Sequence, residues 1–232
     1  TPNLRQLGTS IKYVYTYNRL ERTAYPGMND VFYTYGEPGE SYNRAGRLKS
    51  VDNGTVTDAM YYGKLGELVK QERTITVPAD TGSVAHAYTA KYRYDNFGRM
   101  RSLTLPDNEE IRYEYDGGGL VKSATGYSAS ATTQYVRNIE YDEYGQRVKV
   151  ATGNGIETTY EYDELTRRLM SLKSVRTSTN STFMNVTYTY DKAGNILSRT
   201  NTDFVAVTDT KKTSTQTYEY DDLHRLISAE GT

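Results

Sequence analysis

The sequence predicts an all-β fold, an antiparallel meander of repeated β-hairpins forming a long curved sheet. Three observations carry this reading. Tyr-Asp recurs at Tyr94-Asp95, Tyr115-Asp116, Tyr141-Asp142, Tyr162-Asp163, Tyr190-Asp191 and Tyr220-Asp221. Five of the six copies have a second tyrosine two residues earlier (Tyr92, Tyr113, Tyr160, Tyr188 and Tyr218), and Ile139 takes that place in the other. A glycine follows three residues after the Asp at Gly98, Gly119, Gly145 and Gly194. A repeated unit sets the architecture before any single residue is considered.

Each element of the unit has a physical reason. Tyr92 and Tyr94 are two apart, so in a strand they share one face while Arg93 points to the other. Asp95-Asn96-Phe97-Gly98 reads as a turn. The Asp side chain accepts backbone N–H groups further on, and the glycine supplies the positive φ that a type I turn with a G1 bulge requires. Arg99 to Leu105 returns as the partner strand. Leu105-Pro106-Asp107-Asn108 and Gly153-Asn154-Gly155 are turns at the opposite edge, each leading into the next tyrosine strand. The second tyrosines are spaced by 21 residues from Tyr94 to Tyr115 and from Tyr141 to Tyr162. Two strands of about seven residues and two short turns account for that interval. The Ser/Thr-rich stretches 123–133, 174–181 and 208–215 lengthen other intervals and read as loops or strand extensions.

The first third is more degenerate. Residues 1–70 hold irregular units and 88–230 hold regular ones, read together as one array over 1–232. Tyr62-Gly63-Lys64-Leu65-Gly66 keeps the turn without the Asp, and Tyr42-Asn43-Arg44-Ala45-Gly46 substitutes Asn. Tyr15-Thr16-Tyr17-Asn18 starts like a copy and lacks the glycine. Tyr33-Thr34-Tyr35-Gly36 lies only seven residues before Tyr42. Both cannot be hairpin tips, and the sequence leaves open which one is. Counting Tyr42 and Tyr62 gives eight units, or sixteen strands, about 75 Å of sheet at ~4.8 Å per strand. A sheet that wide curls.

Composition narrows the function classes. The net charge of −1 gives no electrostatic reason to bind nucleic acid or anionic lipid. No apolar run reaches the roughly 18 residues of a membrane helix. The chain has no Cys, which excludes thiolate chemistry and disulfides. Its 24 Tyr against 4 Phe and no Trp suit a surface that packs on one side and meets water on the other. The opening Thr-Pro-Asn and the end just after a Tyr-Asp copy read as an excerpt of a longer polypeptide.

Tyr92-Arg93-Tyr94-Asp95-Asn96-Phe97-Gly98-Arg99-Met100 and Tyr188-Thr189-Tyr190-Asp191-Lys192-Ala193-Gly194-Asn195-Ile196 resemble the YD repeat of Rhs proteins. These are related to the B and C components of insecticidal Tc toxins and to the barrel of teneurins. The resemblance covers residues 33–230. It implies a β-sheet that spirals into a hollow shell around a C-terminal toxic polypeptide, with tyrosines stacked from strand to strand and Asp and Gly shaping turns. Thr166 and His224 stand where the glycine belongs and point to another turn type in those copies. Leu120 replaces the arginine after Gly119. The family's C-terminal self-cleaving core and toxin domain are not recognisable in this chain.

Sharper readings weigh less. A Ca²⁺ ladder of the Asp residues lacks the Asp-x-Asp-x-Asp spacing. His86 and His224, the only histidines, have no Gly-x-Ser-x-Gly elbow beside them. Asp221-Asp222 and Glu109-Glu110 are neighbours that face opposite ways in a strand. Gly117-Gly118-Gly119 does not lead into a helix, so it does not make a phosphate cradle. The sequons at Asn53, Asn180 and Asn185 are expected to go unused. The sequence therefore predicts a non-enzymatic structural segment without cofactor or metal, secreted or displayed at a bacterial surface. Its partners would be the remainder of its own polypeptide and an enclosed toxin or effector, with self-association through edge strands. The alternative is an adhesion or carbohydrate-binding module that meets surface glycans through the tyrosine face.

Overall fold

The computed structural model describes residues 10–205 and 210–231. Every regular element among them is a β-strand, and the chain divides into two compact units, Thr1–Ile111 and Arg112–Thr232. The first unit holds β1 (Lys12–Thr16), β2 (Arg19–Ala24), β3 (Val31–Tyr35), β4 (Leu48–Asp52), β5 (Val56–Tyr62), β6 (Leu68–Ala79), β7 (Gly82–Tyr94) and β8 (Met100–Thr104). Each pairs antiparallel with the next. Strand β9 (Glu110–Tyr115) straddles the division. The second unit continues with β10 (Val121–Tyr127), β11 (Thr132–Tyr141), β12 (Arg147–Thr152), β13 (Ile156–Tyr162), β14 (Leu169–Arg176), β15 (Ser181–Tyr190), β16 (Ile196–Val205), β17 (Thr210–Tyr220) and β18 (Leu226–Gly231). These again pair antiparallel in chain order. The predicted all-β antiparallel meander is therefore the observed fold.

The strand count is eighteen where the sequence suggested sixteen, because Tyr13-Val14-Tyr15 is the arm of a further hairpin. That hairpin turns at Tyr17, whose φ of 49° supplies the left-handed residue without a glycine. The ambiguity between Tyr35 and Tyr42 also resolves. Tyr33 and Tyr35 lie on β3, opposite Val51 and Leu48. Tyr42 belongs to the tip loop. Gly36 donates to the Arg47 carbonyl at 2.9 Å, and Gly46 donates to the Gly36 carbonyl at 2.8 Å. Asp95 and Gly98 make the same two bonds, to Arg99 and Asp95. The loop 36–47 is thus the ordinary tip with an insert, and Tyr42 is not the tip of a unit. Arg44 pins the insert by donating to the Met60 carbonyl at 2.8 Å and lying over the Tyr61 ring at 4.1 Å.

The Ser/Thr-rich stretches are mostly strand extensions. Strands β10 and β11 run out to a short turn closed by Ser128 and Ala131. Strands β14 and β15 continue to Arg176 and from Ser181. The third stretch falls partly on residues 206–209, outside the described residues.

A sheet of this kind buries little apolar surface. The buried positions are small or polar, namely Thr23, Arg44, Ser102, Ser123, Ala124, Ala151, Ser174, Val186 and Asn201. Cohesion must therefore come from the hydrogen-bond ladder and from cross-strand pairs. A recurrent bulge sets that pairing. In eight hairpins the register slips by one residue just before the second tyrosine. Thr34 faces Ser50 and Tyr35 faces Leu48, so Lys49 is the extra residue. Arg93 faces Ser102 and Tyr94 faces Met100, so Arg101 is extra. Such a bulge moves the following side chains to the opposite face.

Close approach to backbone leaves no room for a Cβ at Gly36 or Gly153. A Cβ on Gly153 would stand 1.5 Å from the Gln134 carbonyl oxygen, a backbone atom. Gly153→Ala is expected to force the edge between β11 and β12 apart. The expected cost is about 1–3 kcal/mol, read as a lower urea midpoint. Gly98→Ala, with no neighbour in the way of its Cβ but a φ of 76°, is expected to cost about 1–2 kcal/mol through the left-handed backbone alone.

Candidate functional site

The chemistry-bearing residues meet at the junction between one hairpin and the next. Each turn is held by its Asp. Asp95 Oδ1 accepts the N–H groups of Phe97 and Arg99 at 2.9 and 3.0 Å, while Oδ2 accepts the Arg99 guanidinium at 2.7 Å. Asp221 repeats this with Leu223 and Arg225. Asp116 takes Gly118 and Leu120, and Asp142 takes Tyr144 and Gln146. Asp191 holds Gly194 and both amides of Asn195. Partial desolvation pulls the Asp95 carboxyl up, but the Arg99 N–H, its guanidinium and the Phe97 N–H outweigh it and hold the pKa below the ordinary value. Asp163 is lowered first by the Thr166 N–H, Asp191 by the Asn195 side-chain amide, and Asp221 by the Arg225 N–H.

The two copies without glycine part ways. At Thr166 the turn lengthens by one residue. Arg167 donates to the Asp163 carbonyl, Asp163 N–H reaches Arg168, and the left-handed residue becomes Arg167 at φ 58°. At His224 the expectation of another turn type does not hold. His224 takes φ 60° and makes the same two backbone bonds as Gly98. Histidine tolerates the left-handed region better than a β-branched residue, and Asn195 Nδ2 meets its Nδ1 at 2.9 Å.

The second tyrosine reaches across to the preceding hairpin. Its phenol donates to a backbone carbonyl at the start of that hairpin's return strand. The pairs are Tyr35 to Leu20 (3.1 Å), Tyr62 to Leu48 (2.7 Å), Tyr94 to Leu68 (3.1 Å), Tyr141 to Val121 (2.8 Å), Tyr162 to Arg147 (3.0 Å) and Tyr190 to Leu169 (2.7 Å). In three of these junctions the residue before the acceptor is an arginine lying over the same ring. Arg19 covers Tyr35 at 5.2 Å, Arg47 covers Tyr62 at 5.7 Å and Arg168 covers Tyr190 at 5.7 Å. In these three junctions the Arg-Leu that opens the return strand is the socket for the next tyrosine. That dipeptide was visible in the sequence, but its partner lies 14–21 residues away.

Two ring pairs are seen among the described residues, Tyr42–Tyr61, across the insert, and Tyr188–Tyr190, along one strand, and neither is the strand-to-strand stacking of repeat tyrosines that the resemblance implied. The first tyrosines serve lesser roles. Tyr92 approaches the Gln71 side chain at 3.5 Å, Tyr218 donates to Gln216 at 3.3 Å, and Arg147 lies over Tyr160 at 5.5 Å. Tyr113 and Tyr115 are half-buried on β9, and Ile139 is half-buried on β11. Tyr220 sits on β17 opposite Leu226.

A second stripe runs on the opposite face, and the sequence reading missed it. The residue between the two tyrosines faces a serine or a basic residue on the return strand. Thr34 and Ser50 hydroxyls lie 2.6 Å apart, Ser171 donates to Glu161 at 2.7 Å, and Thr189 and Ser198 lie 2.6 Å apart. Ser123 donates to Glu114 at 2.9 Å. The signal was the serine two residues beyond three of the six acceptors, as in Leu48-Lys49-Ser50 and Leu169-Met170-Ser171.

Asp oxygens are engaged by their own turns, and no group of three His, Asp or Glu side chains among the described residues is placed to hold a metal ion. His86 is exposed on β7 and His224 fills a turn. Among the described residues no helix is long and apolar enough to cross a membrane.

Hairpins joined through Tyr-x-Tyr-Asp in this way make a repeat array similar to that of Tc toxin subunits. The chain is a partial homologue of the toxin subunit YenC1 of Yersinia entomophaga, 34% identical over 152 residues, which is 62% of this chain and 16% of YenC1. It thus spans about one sixth of that relative. Its fold is that of part of the TcdB2-TccC3-Cdc42 crystal structure, at TM-score 0.73 and 21% identity, covering 95% of this chain and 12% of that one. The Tc holotoxin pore of Photorhabdus luminescens matches at TM-score 0.72 and 21% identity, with 95% and 11% covered. No family model matches the chain.

Removing one tether hydroxyl in Tyr94→Phe, Tyr162→Phe or Tyr190→Phe is expected to cost about 0.5–1.5 kcal/mol each, with nearly additive losses in urea melts. A pH series separates the two groups of residues. The depressed Asp pKa values contribute stability that is complete above the unfolded value of about 3.9 and is lost as pH falls through the folded values. The Asp→Asn set at 95, 163, 191 and 221 keeps the acceptor oxygen and is expected to flatten that acid limb. Desolvation raises the tether phenols Tyr62, Tyr94, Tyr141, Tyr162 and Tyr190. Their contribution is complete below an unfolded pKa of about 10 and is lost as pH climbs through the folded values. The Tyr→Phe variants are expected to flatten the alkaline limb.

Proposed function

We propose that this chain is a stretch of wall in the YD-repeat shell of a secreted bacterial Tc- or Rhs-type toxin. Residues 1–232 form one array in this reading, and the shell encloses a C-terminal toxin or effector carried by the same polypeptide. Its role is containment and scaffolding, without catalysis or cofactor. The observation that carries this is the junction. Six phenols each hold a hairpin to the one before it, so cohesion runs along the array and needs no thick core. A wall one sheet thick needs that kind of cohesion. Partial homology to YenC1 supports the same reading. The tyrosine hydroxyls that a sugar-binding face would offer are engaged by backbone carbonyls, and three of the rings lie under arginines.

Limited proteolysis of the full-length polypeptide tests the proposal. The C-terminal region is expected to resist protease in the native protein. Combining Tyr94→Phe, Tyr162→Phe and Tyr190→Phe is expected to speed its cleavage severalfold. Equal cleavage of that region in native and denatured protein would overturn containment.

A further inference from the structure

Strands β6 and β7 run past their neighbours and leave the sheet as a two-stranded ribbon. Strand β5 pairs with β6 only as far as Ile75, and β8 pairs with β7 only as far as Lys91. Beyond Lys91 toward the tip, β7 has β6 on one side and, among the described residues, no strand on the other. Residues 77–79 and 82–88 are all exposed.

The two edges of this ribbon are guarded unequally. The Thr76 amide points away from β7 and donates to the Thr55 carbonyl at 2.8 Å. By antiparallel alternation the next outward position on β6 is residue 78. It is Pro78, which has no N–H to offer. Ala85 lies opposite Thr76, so the same alternation turns the backbone groups of Ser83, Ala85, Ala87 and Thr89 outward from β7. Residues 82–90 contain no Pro, Lys, Arg, Asp or Glu, the residues that usually blunt an open edge.

The residue order along that unguarded edge is symmetric about His86. Ser83 and Thr89, Val84 and Tyr88, and Ala85 and Ala87 stand at equal distances on either side of it. Two such strands laid antiparallel about His86 match like with like. Ser83 meets Thr89 and Ala85 meets Ala87 in the pairs that exchange backbone bonds, and Val84 meets Tyr88 in the narrow pairs between them. Hydroxyl with hydroxyl and aromatic with β-branched are favourable cross-strand partners. Val77, opposite Val84, widens the apolar strip. In the single chain Val77, Val84 and Tyr88 are 39%, 46% and 45% exposed.

We infer that the outer edge of β7 is a docking edge for β7 of a second copy, paired antiparallel about His86. The self-complementary residue order identifies the occupant. A two-stranded ribbon is marginal in water, and pairing converts two of them into one four-stranded sheet. The contact is isologous, so it closes on a two-fold axis as a dimer. None of the tethering tyrosines takes part in it.

Sedimentation equilibrium and cysteine crosslinking of the 232-residue chain test this. The weight-average mass is expected to rise from monomer to dimer with concentration. Ala85→Pro removes an amide that β6 does not use. Still folded by circular dichroism, it is expected to weaken association by roughly 5- to 150-fold, the worth of two hydrogen bonds. The chain has no cysteine, so a single introduced thiol reports a single distance. Facing residues at the axis have Cα atoms about 4.5 Å apart, within disulfide reach. Mild oxidation of His86→Cys is therefore expected to give a covalent dimer. The two copies of residue 83 would lie about 20 Å apart, so Ser83→Cys is expected to stay uncrosslinked under the same treatment. A monomer at every concentration would overturn the inference. So would association that Ala85→Pro leaves unchanged, or crosslinking of Ser83→Cys as fast as that of His86→Cys.

Discussion

The bond from a tyrosine hydroxyl to a carbonyl one hairpin back is the constraint on which the rest of this structure depends. A hairpin alone is marginal in water, and this sheet has few buried apolar side chains with which to add stability. Antiparallel backbone bonds hold strands side by side, but they do not by themselves choose a register. The phenol does. It satisfies its acceptor only if the second tyrosine lies level with the first residues of the preceding return strand. A net contribution of about 1 kcal/mol per bond is modest. Repetition at junction after junction makes it decisive, because each tether fixes the position from which the next hairpin starts.

Three other features support that bond. The Asp-capped turn sets the height of the tyrosine by ending its strand at a fixed residue. Where the glycine is missing, the chain keeps this height by different means. Residues 163–168 insert a longer turn with Arg167 in the left-handed region, while His224 adopts that conformation itself. The bulge in the return strand turns the socket residue toward the tyrosine and the following serine toward the other face. The arginine over the ring then restricts the phenol's swing at Tyr35, Tyr62 and Tyr190. The cation–π contact and the hydrogen bond act on one side chain, so the two reinforce each other's geometry.

The insert between Gly36 and Gly46 shows how much the scheme tolerates. Its two closing bonds match those of a four-residue turn, and everything between them loops out and is anchored by Arg44 on Met60 and Tyr61. The array accepts extra chain at hairpin tips without loss of register, because register is set at the base of the turn and not in its loop. The same logic explains the unequal spacing of the repeats. Strands β10 and β11, and β14 and β15, lengthen at the other edge while the tether positions stay in place.

Local pattern determined a large part of this protein. The alternation in Tyr92-Arg93-Tyr94, the Asp-x-x-Gly turn and the Pro106 and Gly153 turns are signals carried within a few residues, and they gave the all-β meander directly. The Asp residues were legible as turn-makers for the same reason. Tertiary structure alone decided what the tyrosines do. Two-residue periodicity puts Leu48 and Ser50 on one face, but the extra Lys49 separates them, and no local rule announces a bulge. The choice between Tyr35 and Tyr42 likewise needed the long-range pairing of β3 with β4. Ring stacking and hydroxyl tethering require the same residue at the same position. Only the distance from a phenol oxygen to a carbonyl in the preceding hairpin distinguishes them, and that distance exists only once the sheet has formed.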